Sequence, residues 1–434
     1  MTLSLITFAL SLLSKESGAM VPLVIGSYLF WVDERKVARK FLWVIPHFLV
    51  LAAYLGLRKY FGFTGTFHAS TLDVYSLGFI SFLKGLLVYL RLLVFPNDLY
   101  FDRSIAHFLS FKDPQVMAVI GFYGVSFLAL WQKRKRIPKE VIFFVSWFLI
   151  ELLPVSQLVT SIGVRAGYIS LAEHFLYVAC IGILTLGVVW AQQIFTWVQE
   201  RKVISFAVVQ IIVAVIYFHF LLTTIELNFY SRDENLMFER SLKFASYNTR
   251  IRNSLALTKA KENRFKEAQM DFQKVLDVDP LDVPARIGLG KTLIDQGKFW
   301  EGILEYEKVQ NPGNFQELLA NNLKAAYQLI TMQYQKRIAS EPNNAQLYYS
   351  LGVVYSKTKR IAESAESYKK SVELDPNNQN ALYNLASTLN ALGRPEEALG
   401  FIEKLITILH EKDALYPQAQ ELLGNIRARL VSAK

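Results

Sequence analysis

The sequence predicts an all-α protein in two parts: a polytopic transmembrane helical domain over 1–230, then, after a linker helix at 231–248, an α-solenoid over 249–434. Three observations predict it. Apolar residues make up 52% of the 434, with 31 Phe and 21 Tyr, which is rich for a soluble chain. They gather in long runs before about Tyr230. Beyond that point the chain turns polar and self-similar, with a period of about 34 residues.

A spanning helix needs about 20 mostly apolar residues. Such runs lie at 18–32, 41–57, 115–131, 141–158, 171–197 and 203–226, with a weaker one at 76–96. Residues 1–14 are apolar but short, and they lack the basic n-region and small-residue cleavage site of a signal peptide. They read as the second half of a transmembrane helix whose beginning is missing.

Orientation follows from charge. Residues 1–230 hold 19 Lys/Arg and 12 Asp/Glu, a net of +7, against +3 for 231–434. The basic excess therefore belongs to the membrane half, where it sets topology. The short basic loops 33–40, 132–140 and 199–202 are expected in the cytoplasm, and 15–17, 58–75, 97–114 and 159–170 outside, in a periplasm or lumen. The last helix then leaves near Glu226 on the outer side and carries the solenoid with it. Loops on both sides of 76–96 come out outward, and the segment holds Lys84 and Arg91, so a re-entrant or interfacial helix is expected there. The alternative is a true span, with one basic loop misassigned.

Several classes are excluded. No basic patch interleaved with aromatics occurs in the polar half, so no nucleic-acid partner is expected. The single Cys180 cannot form an intrachain disulfide, and the six His are scattered without ligand spacing, so no metal site is expected.

The polar half carries the tetratricopeptide pattern of paired helices with small and large residues at fixed places. At 347–378 Leu351, Gly352, Tyr355, Tyr368 and Pro376 hold those places, and at 382–405 Leu385, Ala386, Leu389 and Ala398 do. Leu255, Ala256, Ala268, Phe272 and Pro280 fit a repeat at 249–282, and Leu289, Gly290, Gly302 and Tyr306 fit the next, from 283. The stretch 315–344 is degenerate, although Tyr334 and Pro342 keep the spacing; the array amounts to about five repeats, and 413–434 reads as a capping helix. Stacked pairs leave a concave groove for a protein partner, where Tyr348, Tyr349 and Asn384 are weak candidates for contact.

Three motifs, LLSKE at 12–16, YLRLLVFPNDLYFD at 89–102 and AEHFLYVACIG at 172–182, stand ahead of this array. In that layout the chain resembles the transmembrane and tetratricopeptide-repeat-containing protein O-mannosyltransferases. The resemblance implies the C-type membrane glycosyltransferase fold, an active site on the outer leaflet and a polyprenyl-phosphate sugar as donor substrate. The sequence departs from the family in two respects. His174 stands where the family has Arg after Glu173, and the first outer loop, with the family's key acidic residue, has no counterpart before Leu10. The chain is therefore expected to lack the N-terminal catalytic portion, through a clipped reading frame or through loss.

For the donor phosphate the candidates are Lys15, Glu16, Arg165, Glu173 and His174. Lys15 would hold the phosphate as a point charge and Arg165 by its bidentate fork, with Glu16 orienting Lys15 and Glu173 anchoring Arg165 or Lys15. The structural alternatives are an interfacial Lys–Glu pair and helix-start charge favoured by the dipole. Asp98 and Asp102 are weak candidates for a general base, the alternative being a solvated loop. Glu151 lies before Pro154 in an apolar run, and Tyr177 lines a cavity or belongs to an aromatic belt.

Two functions follow. One is transfer of a sugar, mannose by the resemblance, from polyprenyl phosphate to Ser or Thr of a protein acceptor held by the repeats. The other is a non-catalytic, membrane-anchored repeat scaffold. The short cytoplasmic loops lean toward a bacterial inner membrane.

Overall fold

The computed structural model describes residues 1–14, 16–34, 37–61, 72–156, 168–201 and 205–432. The chain divides into two compact units, Met1–Thr258 and Lys259–Lys434.

The first unit opens with α1 (Thr2–Ser14), a 3-10 turn (Glu16–Met20), α2 (Val21–Trp31), α3 (Val37–Tyr60) and α4 (Leu72–Val94). A strand β1 (Ser104–Ala106) precedes α5 (Pro114–Lys133) and α6 (Lys139–Glu151). Strand β2 (Tyr168–Ser170) leads to α7 (Leu176–Arg201), α8 (Phe206–Ser231) and α9 (Glu234–Phe244), and α10 (Thr249–Lys261) begins here. The fold is helical as expected; the two-stranded antiparallel ribbon, Ser104 opposite Ser170, was not expected.

Among the described residues five helices are long and apolar enough to cross a membrane: Lys40–Tyr60, Ser76–Val94, Pro114–Arg136, Glu173–Arg201 and Ala207–Ser231. Two segments expected as spans fall short. The 18–32 run yields an α-helix of 11 residues, and the 141–158 run one of 13, about 17 and 20 Å at 1.5 Å per residue. Proline is the reason at both places. Pro22 sits in the first turn of α2, where a helix readily begins, and Pro154 lies in the 3-10 turn Leu153–Val155 just past the end of α6.

The segment 76–96, expected as a re-entrant or interfacial helix with a true span as the alternative, is long and apolar enough to cross a membrane. α4 is one unbroken helix of 23 residues, about 35 Å long. Its mid-helix charge is accommodated: Lys84 Nζ donates to Gln115 Oε1 at 2.8 Å and lies 5.1 Å from the Phe108 ring centre.

The core of this unit gathers Phe82, Leu86 and Tyr89 of α4, Phe148 of α6, Ile169 and Leu171 of the ribbon, and Leu176 and Ala179 of α7. Close approach depends on two glycines. A Cβ on Gly85 would meet Leu171 Cδ1 at 2.6 Å, and one on Gly182 would meet the Phe144 carbonyl oxygen at 2.4 Å.

The second unit holds α11 (Phe265–Val278), α12 (Val283–Asp295), α13 (Phe299–Glu307), α14 (Gln316–Ser340), α15 (Ala345–Lys357), α16 (Ile361–Leu374), α17 (Gln379–Ala391), α18 (Pro395–Ile408) and α19 (Tyr416–Ser432). First helices start on side-chain caps: Asp282 accepts from Ala285 N at 2.8 Å, Asn344 from Gln346 N at 3.1 Å and Asn378 from Ala381 N at 3.0 Å. The turn inside each pair is made by one residue in the left-handed region, at Asn263, Gly297, Lys359 and Gly393. Asn263 and Gly297 stand 34 residues apart, as do Lys359 and Gly393.

In the degenerate stretch the pair is replaced by the single 25-residue helix α14. A further step of 34 from Gly297 falls on Thr331, whose branched Cβ resists positive φ. The turn is lost and the helix runs on. α19 packs Ala419, Leu422, Leu423 and Ile426 into the core of α17 and α18, closing the array.

Candidate functional site

The loop between α4 and β1, FPNDLYFDR (95–103), carries a network of paired charges. Pro96 stops α4 at Val94. Arg91, in the last turn of α4, donates from Nη2 to both Asp98 carboxylate oxygens at 2.8 Å. Arg103 lies at the other end of the loop, its side chain only 6% exposed. It donates to Asp98 Oδ2 at 3.3 Å and to the Asp98 carbonyl, and from Nε and Nη2 to Glu173 Oε1 at 3.2 and 3.0 Å. Its guanidinium stands 4.2 Å from the Tyr100 ring centre, and Tyr100 N donates to the same Glu173 oxygen at 3.1 Å.

The ribbon sets up this meeting. Beyond the Ser104–Ser170 pair, Leu171 N donates to Arg103 O at 2.8 Å, so the chain enters Glu173 alongside Arg103. Tyr89 Oη, fully buried, donates to Ala172 O at 3.4 Å and ties α4 to the same turn. Glu173 thus anchors Arg103, a residue that sequence reading placed only in the loop; neither Lys15 nor Arg165, the partners expected for it, lies among the described residues.

Asp102 has a different environment. Its φ is +57°, a conformation Asp tolerates better than most residues, and its side chain is 1% exposed. Arg250 of α10 grips it with Nε at 2.9 Å and Nη2 at 2.5 Å, and Asn248 Nδ2 reaches its carbonyl at 3.2 Å. Asn248 Oδ1 in turn accepts from Ile251 N at 3.1 Å, at the start of α10.

The segment expected as a linker helix at 231–248 therefore builds the site. Tyr247 Oη donates to Ser104 O at 2.8 Å and its ring stacks on Tyr168 at 4.6 Å. Phe101 N donates to Ser241 Oγ at 3.1 Å, and Arg240 Nε donates to Leu99 O at 3.2 Å while pairing with Glu226. Tyr100 stacks on Phe244, 5.3 Å between centroids.

Electrostatics follow the geometry. Partial burial pushes the Asp98 carboxyl up, but the Arg91 hydrogen bonds and the Arg103 charge outweigh it and hold the group below its usual range. Burial pushes the Tyr100 phenol up to about 12. Both carboxylates weighed as general bases are thus committed to arginines, and Asp102 is closed to solvent.

Glu16 begins the 3-10 turn Glu16–Met20. His174 lies in the 3-10 turn Glu173–Phe175, exposed, with its ring 4.3 Å from Phe175. Tyr177 is 82% exposed, and Glu151 closes α6 half-buried. In the repeats Tyr348 lines a cavity of about 500 Å³ with Gln335, Tyr355, Glu366 and Lys370, while Asn384 Nδ2 reaches Tyr349 Oη at 3.5 Å. Among the described residues no group of three or more His, Cys, Asp or Glu is placed to hold a metal ion.

Helices of spanning length in one unit and repeat helices in the other define a membrane protein that carries tetratricopeptide repeats; the repeat family matches residues 345–378 and 367–400. The chain is similar to protein O-mannosyl-transferase Tmtc3 of Drosophila melanogaster, 23% identical over 325 residues, covering 71% of this chain and 32% of that one. It is similar also to human protein O-mannosyl-transferase TMTC3, 25% identical over 282 residues, covering 60% and 30%. The chain spans about a third of the length of the curated relatives it matches. Among solved structures it is similar to the MamA protein, 25% identical over 37% of this chain and 91% of that one, TM-score 0.20. It is similar also to YrrB, a tetratricopeptide-repeat protein with an unusual peptide-binding site, 19% identical over 42% of this chain and 97% of that one, TM-score 0.22.

Proposed function

We propose that the chain serves sugar transfer from a polyprenyl-phosphate donor to a Ser or Thr hydroxyl of a protein acceptor, with mannose as the sugar and the repeats holding the acceptor or a partner. The observation that carries this reading is the junction of two of the three motifs at one point: Arg103, next to the FPNDLYFD motif, grips Glu173 of the AEHF motif. In this reading the site faces the periplasm of a bacterial inner membrane or a lumen, and the bilayer delivers the donor.

In the transfer the sugar C1–phosphate oxygen bond breaks as the bond from C1 to the acceptor oxygen forms. The phosphate leaves with the electron pair, and the acceptor proton passes to a carboxylate other than Asp98 and Asp102, both held by arginines. Lys15 and Arg165 stabilise the charge that grows on the leaving phosphate. Glu16 and His174 orient them, and Arg103 fixes the turn that presents His174.

The test uses the full chain in membranes, with labelled polyprenyl-phosphate mannose and a Ser/Thr peptide. Lys15→Ala and Arg165→Ala are expected to abolish transfer without loss of folded protein. Unchanged turnover in both variants would refute the phosphate role. A wild-type chain that transfers nothing while still binding a protein partner would support the second reading, a membrane-held repeat scaffold. That reading is favoured by the arginine pairs that close both loop carboxylates.

A further inference from the structure

α5 runs directly into the 3-10 turn Arg134–Arg136, and the chain then passes Pro138 into α6. Over 133–139 five of seven residues are cations: Lys133, Arg134, Lys135, Arg136 and Lys139. All five are exposed, and Glu140 is the adjacent acid. Among the described residues none of the five forms an ion pair. The loop 95–103 is the opposite case, for there Arg91 and Arg103 both meet carboxylates. Like charges this close repel one another, so the turn draws its counter-charge from outside the chain.

Its position says where that counter-charge lies. The segment Pro114–Arg136 is long and apolar enough to cross a membrane, which puts the cations at the headgroup end of that span. Arg134 Nη1 donates to Trp131 O at 2.9 Å, and its guanidinium lies 4.2 Å from the Trp131 ring centre. Trp131 is 54% exposed, and a tryptophan at the end of a span sits at headgroup level. The pair therefore holds the turn at the depth of the lipid phosphates. The long stems of Lys133, Lys135 and Arg136 carry their charges to the same level. α7 ends on the same device, with Arg201 5.6 Å from the Trp197 ring centre.

We propose that the turn between α5 and α6 binds the headgroups of anionic phospholipids in the leaflet it meets. The ligand is a phosphate diester whose headgroup has no cation of its own, as in phosphatidylglycerol; the choline of phosphatidylcholine cancels its phosphate. Each Lys or Arg beside an anionic bilayer is worth about a fivefold shift in partition, and salt screens it. The inference needs α5 to cross the bilayer and is independent of sugar transfer.

The experiment uses the full chain in phosphatidylcholine vesicles that hold a minor share of brominated phosphatidylglycerol or brominated phosphatidylcholine. Bromine quenches nearby tryptophan, and the difference between wild type and Trp131→Phe isolates Trp131. The anionic lipid is expected to quench Trp131 several-fold more strongly than the zwitterionic one, and added salt to shrink the difference. Lys133→Gln/Lys135→Gln/Arg136→Gln/Lys139→Gln is expected to abolish the preference with unchanged helical circular dichroism. Lys298→Gln/Lys324→Gln/Lys336→Gln/Lys412→Gln, which removes as much charge from exposed positions in the repeats, is expected to keep it. Lys133→Arg/Lys135→Arg/Lys139→Arg is expected to keep it too, because the site reads charge. Equal quenching by the two lipids in the wild type, or a full preference in the four-glutamine variant of the turn, would overturn the proposal. Loss of the preference in the arginine variant would overturn recognition by charge. A preference that inorganic phosphate abolishes and chloride at equal ionic strength does not would overturn the lipid in favour of free phosphate.

Discussion

Removing Arg250 is expected to cost more than removing the charge it pairs with. Arg250 is 55% exposed, whereas the Asp102 side chain is 1% exposed and takes two of its hydrogen bonds from that guanidinium. Arg250→Ala leaves a buried carboxylate with Asn248 as its remaining recorded donor, a loss of about 3–5 kcal/mol. Asp102→Asn keeps the side-chain shape and a residue that tolerates positive φ, and the freed guanidinium hydrates. Its cost is the lost charge-assisted bonds, about 1.5–3 kcal/mol. The double variant Asp102→Asn/Arg250→Met buries no unpaired charge and is expected to lose no more than Asp102→Asn alone. At roughly 2–4 °C per kcal/mol for a chain of this size, Arg250→Ala lowers Tm by about 6–20 °C. The assay is thermal unfolding of the full chain in detergent, joined to hydrogen exchange at the Ile251 amide, whose bond to Asn248 loosens with the clamp. An Arg250→Ala loss equal to or below that of Asp102→Asn would refute the reasoning.

Three further outcomes are checked by melting the same preparation. Gly182→Ala places a Cβ 2.4 Å from the Phe144 carbonyl oxygen, a backbone atom that cannot swing away; it is expected to cost about 1–3 kcal/mol, while Gly187→Ala, with nothing within 4 Å, is expected to be neutral. The Asp98 carboxyl is held below its usual range, so its pairing stabilises the fold above the unfolded value and fades as pH falls through the lower, folded value. Wild type is therefore expected to lose Tm below about pH 4, and Asp98→Asn to lack that part of the loss; equal acid sensitivity in both would contradict the assignment. Lys359 sits at φ +61° in the turn where Gly393 holds φ +73°; Lys359→Gly is expected to gain about 0.5–1 kcal/mol and Gly393→Ala to lose about 1 kcal/mol.

The long elements were readable because their signals are local. Runs of apolar length announce α3, α5, α7 and α8, and small and large residues at fixed spacing announce α12, α13 and α15 to α18. Where reading and structure differ, one residue usually decides. Pro22 and Pro154 shorten two apolar runs that composition alone counts as spans. Lys84 suggested a re-entrant or interfacial helix, and in the fold its charge meets Gln115 and the Phe108 ring. Thr331, where a turn residue was due, leaves α14 as one rod. The region 231–248 carried no motif, so its Arg240, Tyr247 and Asn248 were not among the candidates.

By itself the sequence determined which stretches are helices, which of them suit lipid and which repeat, because these properties depend on neighbours within a few turns or on a period of about 34 residues. Only the tertiary structure decided which charges meet. Arg103 and Glu173 are 70 residues apart and Asp102 and Arg250 are 148 apart. Their pairing depends on the register of a three-residue ribbon and on α9 and α10 folding back over the loop. No pattern along the chain encodes such a meeting, because a buried charge selects its partner by distance and desolvation in the folded state rather than by separation in sequence.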